Sequence, residues 1–150
     1  MLLITIMETH MACHFTQFSS SLVLNSEAEA SYALTLLDAL RDDETTCTGM
    51  HSFDVSVLEA EDASNVLWLR DAYGDADIEA VIAFVRRLAE ELGCTGYWGF
   101  PYSESCSKPR LNEFGGGAFL LNLGTGKLED RVTTADWFET TLQDIVSKLR

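Results

Sequence analysis

Positive charge is nearly missing from the first 85 residues of this chain, which carry 15 acidic and 2 basic side chains. Residues 86 to 150 hold 9 acidic and 8 basic ones, so almost all of the formal charge of -14 belongs to the earlier part. A protein that docks directly on nucleic acid needs the opposite sign to displace counterions from phosphates. An anionic membrane surface is disfavoured for the same reason. Long apolar runs are lacking too, since none approaches the ~18 residues of a membrane span. Proline occurs only twice, and no low-complexity linker or domain boundary breaks the 150 residues. The four cysteines, Cys13, Cys47, Cys94 and Cys106, include no CxxC pair. The opening MLLITIM has no basic flank and is followed by Glu8, which makes it a poor signal peptide and a better first strand. Reduced thiols and a cytoplasmic setting are the expectation. Met7 and Met11 stand as alternative starts, which would make residues 1 to 10 dispensable.

What remains is a hydrophobic content of 47%, enough for one globular domain that buries about two thirds of its unfolded surface. A strand is expected over residues 12 to 24. Ser26 and Glu29 form a capping box, and Ala33, Leu36, Leu37 and Leu40 then give one helical stripe. The acidic run Asp42, Asp43, Glu44 closes that helix against its macrodipole. Phe53, Val55 and Val57 alternate with polar residues, and VLWLR at 66 to 70 completes a hairpin. Asp77 caps a helix whose apolar face runs from Ile78 to Leu92, with Gly93 as its stop. The aromatic strand at 97 to 102, a long loop and a strand at 118 to 123 follow. GTG at 124 to 126 turns the chain into a short strand, and Thr133 or Thr134 caps a last helix. In that helix Phe138, Thr141, Leu142, Ile145 and Leu149 are expected to face inward. The order predicts an α+β fold: a mainly antiparallel sheet with helices on one face, a ferredoxin-like split βαβ core, and a C-terminal hairpin and helix.

The stretch from Cys94 to Leu123 holds the one candidate ligand site. A connection of a dozen or more residues without regular structure is often functional. Gly115, Gly116 and Gly117 admit close approach of another backbone or a ligand. Lys108 and Arg110 lie just upstream, so an anion held between these cations and a nest of glycine N–H groups is one reading. A bulge or tight bend on entering the sheet is the more ordinary one. The run FGGGAF lacks GxxxxGK[ST], and no helix follows it, so it is no phosphate loop. The segment CSKPRLNEFGGGAF resembles a stretch in small uncharacterised proteins of bacteriophages and mobile elements. That likeness covers roughly residues 94 to 123. It implies a setting and transfers no catalytic residue.

Other chemistry is thin. His10, Cys13, His14, Cys47 and His51 are zinc-competent side chains, but their spacing matches no standard finger, and neither a metal nor a cofactor is expected. Cys106 near Lys108 and Arg110 would suit a lowered thiol pKa, without a local signature for a cysteine hydrolase. Ser103, Ser105 and Ser107 lack the GxSxG context. Asp71, Asp75 and Asp77 look like half of a calcium loop whose glycine and closing Glu are misplaced. Tyr97, Trp98, Phe100 and Trp68 are core candidates before they are base-stacking ones. Asp38, Asp42, Asp43 and Glu44 with Asp54, Glu59, Glu61 and Asp62 form a candidate DNA-like acidic strip. The reading that follows is an acidic protein that binds a basic surface on a host protein rather than a catalyst. The alternatives are a small anionic-ligand binder or enzyme built on the 101 to 117 loop, and a structural homodimer paired through a sheet edge.

Overall fold

The computed structural model describes residues 13–43, 45 and 48–150. Strands β1 (His14–Gln17) and β2 (Ser19–Val23) are followed by helix α1 (Glu27–Asp42) and a short 3-10 turn. Strands β3 (Phe53–Val57) and β4 (Val66–Asp71) lead to helix α2 (Ile78–Leu92). Strands β5 (Tyr97–Trp98), β6 (Pro101–Cys106), β7 (Gly115–Asn122) and β8 (Leu128–Thr133) precede the last helix, α3 (Thr134–Lys148). The protein is therefore α+β, and every strand ladder among the described residues is antiparallel.

The expected strand over 12 to 24 is broken at Phe18. Its first half pairs with β6 and its second half with β4, so one run of chain serves two sheets, β1-β6-β7 and β2-β4-β3. This departs from a single split βαβ sheet. The physical reason lies at the break. Asp71 Oδ1 accepts from the Phe18 N–H at 3.0 Å and Oδ2 accepts from the Gly74 N–H at 3.1 Å. The Asp71 N–H in turn donates to the Phe18 carbonyl. A side-chain carboxylate thus replaces a ladder partner where the strand changes sheets, and the Phe18 ring stacks on Phe100 with centroids 4.4 Å apart. β5 and β6 are likewise two halves of one strand, held to β7 in the same register on either side of Gly99 and Phe100. A Cβ at Gly99 would collide with the Phe119 carbonyl, so only glycine fits that break.

One buried cluster joins both sheets to α1 and α2. The capping residues act as expected: Ser26 accepts from Glu29, Asp77 from Ala80, and Gly93 ends α2 in the left-handed region. Arg41 in the last turn of α1 offsets the acidic run there. Its guanidinium donates to the carbonyls of Met50 and Phe53 and pairs with Asp54. Across the outer faces of the two helices, the Tyr32 hydroxyl donates to Glu91 at 2.5 Å, and Arg87 reaches the same carboxylate at 2.8 Å.

The last helix breaks with expectation. Phe138, Leu142, Ile145 and Leu149 do not face inward; no side chain of α3 is buried. The 3-4 spacing of these residues correctly marks a face that seeks cover, but α1 and α2 already fill the inner side of the sheets.

Two outcomes follow from these contacts. Asp71→Ala leaves two part-buried N–H groups without their acceptor and should cost about 1–3 kcal/mol in denaturant unfolding. The Tyr32 hydroxyl and the Arg87 guanidinium hold the Glu91 carboxyl below the ordinary carboxylate range. A depressed folded-state pKa contributes stability above the unfolded value that is lost as pH falls through the folded one. Glu91→Gln should accordingly flatten the acid limb of a Tm-against-pH curve.

Candidate functional site

The 101 to 117 region is shorter in loop than the sequence suggested. Pro101–Cys106 is strand β6, and only residues 107–114 connect it to β7. Proline is tolerated here because it is the first residue of the strand. Gly115, Gly116 and Gly117 pair with Glu104, Ser103 and Tyr102 in register. Each glycine leaves room for a specific neighbour. A Cβ at Gly115 would sit 2.6 Å from Thr134 Oγ1, and one at Gly117 would sit 2.5 Å from the Tyr102 hydroxyl and 2.6 Å from the Val132 carbonyl. At Gly116 a Cβ would strike the Tyr102 carbonyl. The Gly116 N–H donates to Thr134 Oγ1 at 3.1 Å, and the Thr134 hydroxyl lies 3.3 Å from the Gly116 carbonyl. The glycine run is a seat for the first turn of α3, bonded to it at Gly116.

Beside this seat lies a cleft of about 360 Å³ lined by His14, Phe15, Glu104, Glu113, Gly115 and Thr134, among others. Its charged lining is carboxylate and imidazole, with His14 Nδ1 2.9 Å from Glu113. Lys108 and Arg110 belong to the 107–114 connection and do not line it. A second, mostly apolar groove runs between Trp137 and the strip Gly115, Gly116, Gly117 and Ala118, floored by Tyr102 and Val132.

The acidic residues fall into two groups. Asp38, Asp42 and Asp43 are exposed at the C-terminal end of α1, the end whose Arg41 reaches Asp54. Glu59, Glu61 and Asp62 are exposed in the β3–β4 connection, past the far end of β3. Five strand residues separate the groups, roughly 17 Å at the usual rise. Glu44 lies outside the described residues. The two cations of this part of the chain serve internal contacts. Arg41 is the clamp already described, while Arg70 lies 3.9 Å over the Trp68 ring and donates to Ser56.

The remaining candidates disperse. His51 donates to the Arg41 carbonyl, His14 pairs with Glu113, and His10 and Cys47 lie outside the described residues. Among the described residues no group of three or more His, Cys, Asp or Glu side chains is placed to hold a metal. Asp71 and Asp77 bind backbone N–H groups. Cys106 is buried, and partial burial pushes the Cys94 thiol up, away from nucleophilic reactivity. Trp98 and Phe100 are core residues, whereas Tyr97 is exposed and Trp68 half-exposed. The surface that sequence reasoning missed is α3 itself, whose apolar stripe was visible but was assigned to the core. Among the described residues, no helix is long and apolar enough to cross a membrane.

Comparison with family models, with curated proteins and with solved structures yields no match for the chain.

The seat gives a sharp test. Gly117→Val must displace the Tyr102 hydroxyl and the Val132 carbonyl together, and overpacking of this kind should destabilise the protein by about 1–3 kcal/mol.

Proposed function

We propose that this is an acidic interaction protein that acts in the cytoplasm by occupying a basic surface on a host protein, in the phage or mobile-element setting that the CSKPRLNEFGGGAF resemblance implies. The observation that carries the proposal is how the first 85 residues use their cations. Both, Arg41 and Arg70, are committed to backbone, hydroxyl and ring contacts within the fold. Arg41 also pairs with Asp54. Asp38, Asp42, Glu59, Glu61 and Asp62 are exposed and contribute a net negative field. Such a field accelerates encounter with a positively charged partner and depends on ionic strength. Two acidic groups separated by the length of β3 suit an extended basic surface better than a single pocket. The cleft beside α3 adds Glu104 and Glu113 to the same sign of charge.

The measurement is salt-dependent association with a basic nucleic-acid-handling protein of the host. Reversing Asp42, Asp43, Glu59, Glu61 and Asp62 to lysine should lower the on-rate by about tenfold or more at low salt. The difference should shrink as salt screens the field. Association that is unchanged by these reversals overturns the proposal.

A further inference from the structure

Helix α3 leaves the body at the glycine seat and exposes its whole apolar stripe. Phe138 is 62% exposed, Leu142 50%, Ile145 53%, Val146 43% and Leu149 80%. Its first turn is hydrogen-bonded to the sheet through Thr134, and a helix of 15 residues is marginal in water on its own. Its stripe has to be covered for the helix to persist.

The spacing and charge of the stripe identify the cover. Ala135, Phe138, Leu142, Ile145 and Leu149 alternate steps of three and four, the seam of a two-helix contact. Run a second copy of this helix antiparallel to the first, and the layers fall into step: Phe138 opposite the partner's Leu149, and Leu142 opposite the partner's Ile145. Glu139 and Arg150 flank the same side of the stripe, at opposite ends of the helix. The antiparallel arrangement sets Glu139 of each copy near the partner's Arg150, twice over by symmetry. A parallel arrangement leaves these charges at opposite ends of the pair. Antiparallel helix dipoles favour the same choice. Residues 134 to 150 carry three acidic and two basic side chains, so this is also a face on which copies of a chain of net charge -14 can approach one another. We propose that α3 pairs antiparallel with α3 of a second copy across a two-fold axis, making the protein a homodimer through this helix and not through a sheet edge. Because the contact is one helix per copy, it lies at the small end of stable interfaces, and the dimer is concentration-dependent.

The test is sedimentation or light scattering of the full chain over a concentration series, with urea-induced unfolding of the same samples. The wild type should move from monomer to dimer. L142D with I145D should be monomeric at every concentration, while its core unfolds with the wild-type slope, since these side chains contribute nothing to the buried cluster. E139R alone and R150E alone should each raise the dimer Kd roughly five- to tenfold through two lost surface pairs. E139R with R150E together should return it toward the wild-type value, because the swap restores both pairs. A wild type that stays monomeric overturns the inference, including one that instead binds lipid vesicles or captures an unrelated protein through this face. So does a dimer that survives L142D with I145D, or one that ignores the charge swap, which would place the contact elsewhere or run it parallel. None of these outcomes touches the lysine reversals on α1 and the β3–β4 connection, so the two proposals fail separately.

Discussion

Everything in this molecule turns on the break in its first strand. The chain cannot stay in one ladder through Phe18, and the carboxylate of Asp71 accepts the hydrogen bond that the ladder no longer offers. Because the same carboxylate also fixes the Gly74 turn that leads to α2, the position of the longest apolar helix face is tied to the point where the two sheets diverge. Phe18 then closes the gap from the inside by stacking on Phe100, which meets Trp98 and Phe119 edge to face. A polar contact at the rim and an aromatic cluster beneath it hold one core across two sheets.

The functional surfaces lie where that core ends. α1 and α2 share the buried cluster with both sheets, and exposed acidic side chains gather at the end of α1 and in the β3–β4 connection. The glycine strip of β7 has a different consequence. With no side chain at Gly115 or Gly117, which share one face of the strand, Thr134 and Tyr102 approach its backbone there, and the first turn of α3 is bonded to the strand at Gly116.

How much of this could be read from the residues depends on what each pattern measures. Caps and stops were legible because they are local: Ser26, Asp77, Thr133 and Gly93 act within a few residues of themselves. The stripes on α1 and α2 were legible because they end up in the chain's own core. The stripe on α3 has the same periodicity, and periodicity reports only that a face is apolar. It carries no information about whose surface buries it. The break at Phe18 was hidden because its cause, Asp71, lies 53 residues away. The glycine run was half legible. Its need for close approach was plain, but the neighbours that come close, Thr134 and Val132, are distant in sequence, and so a ligand and a strand looked alike. The long loop shrank because a proline and the polar run Ser103, Glu104 and Ser105 disguised β6, whose outward side chains are solvated.

The seat at Gly115 to Gly117 ties the first turn of the last helix to the sheet, and geometry of that kind sets valency. Two bodies joined back to back through that helix would each keep an acidic flank, presented at a fixed separation. A basic surface long enough to engage both would then feel the second engagement as an intramolecular event, at an effective concentration far above that of the free protein. Short basic patches would be held weakly and repetitive ones firmly, with discrimination arising from spacing alone.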